Sequence, residues 1–506
     1  MISTISWVPR GAAKAVPKVM EPTEEELEHM KQAAGEEGDS GEEEDEWETD
    51  DSDMEGGEKA DDPVERARAV ASALKSSASE KALGEGSGGM KTGKLESALK
   101  ELDMDGYDDE DEVQLPGLLG GKLGSAKKDP YLQLDSDEDS EIEDFNIRDS
   151  DLLILAARNE EDVSSMEVWL YEEAGRDGEA NIYVHHEIML SAFPLALAWM
   201  DCNPDGTQEA GNFAAVGTFA PEIELWDLDV IDSVEPIACL GGVLAPDLPS
   251  LDEEGEGLSS VDRKKLRKKI RKKKQKAKPS FKDGSHEDAV MSLSWNSEYR
   301  NVLASGSADY TVKIWDVTAQ ECKQTLSHHN GKVQAVAWNP AEASVILTGG
   351  FDKVAALVDV RTPDSCAQWA LSADTEALTW CPFAPTCFLV SCEDGLVSCY
   401  DARKGTGSGS VFSLHAHEKP TCTLSFSSGA TGLLATGSTD KKLKLWDVAD
   451  MKPALLATEE PKVGAIFSAT FCADSPFLLG CAGAKGTVAV WDTKTNPAVA
   501  AKYGSA

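Results

Sequence analysis

A histidine, an aspartate and a tryptophan recur in this chain at fixed spacing. Asp309 and Trp315 follow His286 at +23 and +29, and Asp440 and Trp446 follow His417 at the same offsets. A hydroxyl precedes each tryptophan: Ser305 or Ser307 in the first set, Thr436 or Ser438 in the second. These are the residue types of an acid–base relay. They are equally the types of a buried polar set, because a buried aspartate without partners carries a large desolvation cost. No Gly-rich phosphate loop, nucleophile motif or metal-ligand spacing accompanies them, so the expectation is no enzyme and no cofactor. His328-His329 has no Cys or His at ligand spacing and is not read as a metal site.

The elements around these residues repeat as well. From His286, Trp295 stands at +9 and Asp316 closes the unit at +30. The grid fits His329 (Trp338, Asp352, Val358, Asp359), Leu371 (Trp380, Asp394, Tyr400, Asp401) and Lys462 (Phe471, Lys485, Trp491, Asp492). Units starting at 286, 329, 371, 417 and 462 give a period of 42–46 residues. Within a unit, VMSLSW, NVLASGS, TVKIWDV and CKQTLSH read as four strands, the second the most apolar. Such a blade cannot bury both faces alone and is stabilised by stacking in a ring. The period and the terminal Trp-Asp resemble the WD40 propeller family. The resemblance implies that the histidine, the second-strand hydroxyl, the turn aspartate and the tryptophan form a buried tetrad. That assigns structural roles to His286, Asp309 and Trp315, and to His417, Asp440 and Trp446. Blades with Leu371 or Lys462 in the histidine position should be looser.

The remaining chain completes seven blades. MISTISWVP reads as the first strand of blade 1, with 151–158, 166–172 and 181–187 as its other strands; blade 2 runs from 195–204 to 223–229. The expected organisation is a first strand over 1–9, an acidic insertion over 10–150, the rest of blade 1 and blade 2 over 151–239, an insertion over 240–285, and blades 3–7 over 286–506. The fold class is all-β, a seven-bladed propeller with two long disordered insertions. Residues 21–62 hold 21 Asp/Glu in 42 positions, too charged to offset chain entropy by burial. DMDGYDDED within the first insertion meets only part of a calcium-loop register and is rejected as one. Ser40, Ser52, Ser136 and Ser140 each precede an acidic residue by three positions and suit an acidophilic kinase. The second insertion carries 12 Lys/Arg in 16 positions over 263–278. Its core is Arg263, Lys264, Lys265, Arg267, Lys268, Lys269, Arg271, Lys272, Lys273 and Lys274. That run reads as a nuclear-localisation signal and an RNA or phosphate contact, without interleaved aromatics for base stacking.

A net charge of −43 argues against simple electrostatic wrapping of nucleic acid and favours basic partners. Eleven cysteines, an odd number with no CxxC pair, read as reduced core thiols. No apolar stretch reaches membrane-spanning length, so no membrane partner is expected. MISTISWVPRGAAKAVP, then EPTEEELE, the acidic insertion, FNIRDSDLLILAAR, the lysine-rich insertion and SGSADYTVKIWD, in that order, resemble the periodic tryptophan protein 1 family. The resemblance covers essentially the whole chain. It implies a non-enzymatic WD40 scaffold of nucleolar ribosome biogenesis, acting in large-subunit assembly and rRNA processing. Its partners would be pre-ribosomal particle proteins, precursor rRNA and an import receptor, with the chain a monomer inside a larger complex in the nucleus and nucleolus. The alternative is a chromatin or histone-binding factor regulating rDNA transcription by RNA polymerase I. A histone-tail reader needs an aromatic cage, for which Tyr310, Phe351 and Trp369 are the candidates.

Overall fold

The serines of the inner strands explain how the blades are joined. In blade 3, Ser292 Oγ accepts the Val336 N–H (3.1 Å) and Ser294 Oγ accepts the Trp338 N–H (3.2 Å) of the next inner strand. Between blades 6 and 7, Ser425 Oγ accepts the Phe471 N–H and Thr423 Oγ1 bonds both the N–H and the C=O of Ala469. The tryptophan at +9 adds a bond. Trp338 Nε1–H donates to Ser294 O (3.0 Å) and Trp380 Nε1–H to Ala337 O (3.2 Å), each in the preceding blade. The polar half of the VMSLSW alternation therefore meets the neighbouring backbone, where an unpaired amide would carry a desolvation cost.

The computed structural model describes residues 1–19, 146–161, 163–173, 180–207, 210–244, 280–405, 407 and 409–504. They form a seven-bladed β-propeller. Blade 1 is built from Ile2–Val8, Leu152–Glu160, Val163–Glu172 and Asn181–Met189. Blade 2 uses Pro194–Cys202, Ala210–Thr218, Ile223–Asp227 and Ala238–Leu240. Blades 3, 4, 5 and 6 begin at the inner strands Val290–Trp295, Val333–Trp338, Thr375–Trp380 and Thr421–Phe426 and have four antiparallel strands each. Every inner strand carries a bulge after its first residue, leaving Ser3, Leu195, Met291, Gln334, Glu376, Cys422 and Phe467 as the extra residues. Successive inner strands are neighbours all round, and that of blade 7 (Ile466–Phe471) packs against Ile2–Val8. Seven apolar clusters fill the seven seams between blades. In the closing seam Ile2, Ile5 and Trp7 meet Cys472, Leu478 and Val488.

Blade 7 has three strands where the repeat predicts four. After Asp492 the chain turns into a short helix, Pro497–Tyr503. Asn496 caps it by accepting the Ala498 N–H at 3.0 Å, Pro497 sits at its first turn, and an alanine-rich sequence favours helix over strand. Val499 and Tyr503 bury against the core shared by blades 6 and 7.

The strand order sends the connections between second and third strands, and those between blades, to one face of the ring. We call this the upper face. The other connections lie on the lower face. Folded structure also continues into both segments read as insertions. Past Val8, Lys18–Val19 pairs in parallel with Val230–Ile231, and the Ile147 N–H bonds Ala15 O at 2.9 Å. Lys14 bonds the buried Asp229 through its backbone N–H (3.1 Å) and through Nζ (3.0 Å), which explains why this arm is held. On the upper face, Val243–Leu244 pairs with Ser280–Phe281 in a two-stranded stem.

Ring closure rests on the first strand. Trp7 Nε1–H donates to Thr470 O at 2.9 Å and Ser468 Oγ accepts the Ile5 N–H at 3.2 Å. Trp7→Phe should destabilise the protein by about 1 kcal/mol, and Ile5→Ala by about 3 kcal/mol through the cavity it leaves. Denaturant melts of both variants check this; wild-type midpoints would show that closure does not depend on this strand.

Candidate functional site

The recurrent polar sets come together in three blades. In blade 3, Trp315 Nε1–H donates to Ser305 Oγ (2.8 Å), Ser305 Oγ lies 2.7 Å from His286 Nε2, and His286 Nδ1 lies 2.8 Å from Asp309 Oδ2. In blade 6 the corresponding distances are 3.0 Å (Trp446 to Thr436), 2.8 Å (Thr436 to His417) and 3.0 Å (His417 to Asp440). Burial lowers the imidazole pKa values of His286 and His417, outweighing the raising effect of their aspartates. The neutral rings then donate from Nδ1–H to the carboxylate and accept the hydroxyl proton at Nε2, so donors run in one direction from indole to carboxylate. Burial alone would raise Asp309. The His286 hydrogen bond, joined by those from Thr311 and the Glu287 N–H, holds it below the ordinary carboxylate value. Ser305 and Ser307 are both buried, but it is Ser305 that joins the relay; Ser307 Oγ instead donates to Asp288 O. Thr436 plays the same part rather than Ser438, which bonds Lys419 O.

Blade 4 keeps the pair without the tryptophan. His329 Nδ1 bonds Asp352 (3.0 Å) and its Nε2 bonds Thr348 Oγ1 (2.8 Å), with the buried Val358 in the tryptophan position. His328 Nε2 also reaches Thr348 Oγ1 at 2.8 Å. Blade 5, lacking the histidine, has Ser372 Oγ donating to Asp394 at 2.6 Å. His286, His329 and His417 are buried at 0%, 5% and 1% exposure, with both ring nitrogens of each taken up inside its blade. Among the described residues, no group of three or more side chains converges to hold a metal ion.

Sequence reasoning missed how blades 1 and 2 solve the same problem. Their third strands read Glu-x-Trp where blades 3 and 6 read Lys-x-Trp. Trp169 Nε1–H donates to Glu167 (2.8 Å), whose other oxygen pairs with Arg158 Nη1 at 2.7 Å. Trp226 Nε1–H donates to Glu224 (3.1 Å), which Ser191 Oγ also contacts. Both glutamates are buried, and the Glu-x-Trp spelling was the available signal.

Ser40, Ser52, Ser136 and Ser140 and the basic run Arg263–Lys274 lie outside the described residues. Of the cage candidates, Tyr310 and Phe351 are exposed on the upper face. Trp369 is 2% exposed and packs against Phe388 and Tyr400, because its outer-strand position points into the seam between blades 4 and 5; it is not available for a cage.

The WD domain, G-beta repeat model matches residues 278–316, 320–359 and 408–447. These are blades 3, 4 and 6, the three with a histidine–aspartate pair. The chain is 30% identical to periodic tryptophan protein 1 of Saccharomyces cerevisiae, over 81% of this chain and 78% of that one. It is 31% identical to the Drosophila melanogaster periodic tryptophan protein 1 homolog, covering 73% of each. It is 34% identical to an uncharacterized WD repeat-containing protein of Schizosaccharomyces pombe, over 81% of this chain and 77% of that one. The chain belongs to the periodic tryptophan protein 1 family. The propeller of this family member thus includes blades that the repeat model does not match. Blades 1 and 2 replace the histidine relay by glutamate, and blades 5 and 7 lack the histidine.

Two outcomes follow. Ser305→Ala strands both His286 Nε2 and Trp315 Nε1 without partners and should cost about 2–4 kcal/mol, against about 1 kcal/mol or less for Thr318→Ala at the edge of the same blade. Chemical denaturation of the two variants measures the difference. The lowered pKa values of His286, His329 and His417 make stability present above their unfolded value near 6.5 and lost as pH falls below it, since the unfolded chain then takes up protons the folded one refuses. Unfolding free energy should therefore drop between pH 7.5 and pH 5.5, and a flat profile would contradict neutral buried imidazoles.

Proposed function

We propose that this chain is a non-enzymatic scaffold of large-subunit ribosome assembly and rRNA processing, working in the nucleolus. The observation that carries the reading is the family membership, since a propeller by itself serves many functions. The geometry supports a scaffold. A ring of seven blades is a rigid support with two separate faces. The acidic insertion departs from the lower face, where Lys18–Val19 and Ile147 are held, and the basic insertion departs from the stem on the upper face. An acidic segment favours basic ribosomal proteins, and a lysine-rich segment favours precursor rRNA or an import receptor. The tetrads of blades 3 and 6 have a structural role in this reading. Arg263–Lys274 serves import and RNA contact, and Ser136 and Ser140 are sites for an acidophilic kinase.

The test is sedimentation of tagged full-length protein from cell extract, with sequencing of the RNA in its peak. Migration with large-subunit precursors and their RNA is the expected result. A peak holding histones and rDNA without precursor RNA would overturn the reading in favour of chromatin.

A further inference from the structure

One sector of the upper face exposes aromatic rings in three consecutive blades. Phe219, Tyr310 and Phe351 stand in the turns between second and third strands of blades 2, 3 and 4, with exposures of 60%, 49% and 38%. Phe219 is backed by Phe193, ring centroids 5.3 Å apart. Tyr310 adopts φ 72°, in the left-handed region. The residue following the turn aspartate in other blades is Lys353 (φ 60°), Gly395 (φ 80°) and Lys441 (φ 71°). A bulky aromatic is disfavoured in that conformation, and half-exposed Tyr310 recovers little of the cost by packing. The left-handed φ belongs to the repeated turn, and what sets Tyr310 apart is an exposed ring at its tip where blades 4 and 6 carry lysine.

Blade 5 continues the sector with carboxylates. Glu393 and Asp394 form its turn, and the Glu393 N–H bonds Asp374 O at 3.0 Å. Glu376 occupies the bulge of the adjoining inner strand, and its carboxyl is pushed up to about 7 by burial, then by Glu393 and Asp374. Asp283, Glu287 and Asp288 add exposed carboxylates at the entrance to blade 3 and Glu418 at that to blade 6, against Lys282, Lys332, Lys353 and Lys419 on the same face. Exposed rings on the same face as an excess of carboxylates suit a segment rich in lysine and arginine, whose side chains stack on ring faces and pair with acids.

We propose that this sector, centred on Tyr310 and bounded by Phe219, Phe351 and Glu393, is a docking site for an extended basic segment of a protein partner. The site would hold arginine or lysine side chains over the rings and orient them toward blade 5. The inference rests on the upper-face geometry and stands whether or not the ribosome reading holds.

The experiment uses the full-length chain and a fluorescein-labelled 12-residue peptide of Arg, Lys and Gly carrying a photo-cross-linking residue. A peptide with Glu in place of the basic residues serves as the control. Anisotropy should show binding of the basic peptide alone, with cross-links on blades 2–5 of the upper face. Tyr310→Gly should weaken binding tenfold or more while the melting temperature stays level or rises, because glycine relieves the strained turn. A structural role for Tyr310 would instead lower both. Phe351→Ala and Glu393→Gln should weaken binding, and Tyr299→Ala, exposed on the lower face, should leave it unchanged. Wild-type affinity in Tyr310→Gly and Phe351→Ala overturns the proposal, as do cross-links confined to residues 20–145. So does peptide binding that appears only when the lysines and arginines of 263–278 are neutralised, since the chain's own basic run would then be the occupant.

Discussion

Everything in this molecule depends on one strand being in place. The inner edge strand of a blade leaves amides unpaired, and hydroxyls of the preceding blade take them up, so the first blade is served only when the last one meets it. Here Ile2–Val8 does both jobs at once. It pairs with Leu152–Glu160 to make blade 1 and packs on Ile466–Phe471 to close the circle. The long segment between Val8 and Leu152 is tolerable because loop-closure entropy grows only logarithmically, about 0.6 kcal/mol for each doubling of length. Burying Ile2, Ile5 and Trp7 readily exceeds that increment.

The blades also show one polar requirement met in two ways. The third-strand tryptophans of blades 1, 2, 3 and 6 each bring an indole N–H against the core, where it finds an acceptor. Blades 3 and 6 supply a hydroxyl and complete its bonding through histidine and aspartate. Blades 1 and 2 supply a carboxylate directly. In blade 1 Arg158 pairs with that carboxylate, and in blade 2 Ser191 bonds it. The hydroxyl solution spreads the demand over four residues of fixed spacing, and the carboxylate solution compresses it into one strand.

That contrast explains what the sequence discloses. The relays of blades 3 and 6 are legible because their residues fall on an unbroken grid, and the propeller follows from the grid's period. Glu167 and Glu224 are harder to read, because an exposed and a buried glutamate look alike without their partners. The helix at Pro497 replaces a strand that the repeat leads one to expect, although Asn-Pro followed by alanines is a local helix start. Trp369 misleads for a different reason. An outer strand shows one side to solvent and the other to a seam, and only three-dimensional register says which side a given ring takes. Lys14 on Asp229 is a pairing across more than two hundred residues, beyond the reach of any local pattern.

The position of the closing strand also has a meaning in time. Residues 2–8 are the first of the propeller to be made, yet their partners at 466–482 are among the last. At the usual pace of synthesis, 5–20 residues per second, the strand waits roughly half a minute or longer before its seam exists. Until then Ile2, Ile5 and Trp7 are a sticky end looking for a partner. For that whole interval the nascent chain carries one unfinished apolar surface whose partner lies more than four hundred and fifty residues ahead.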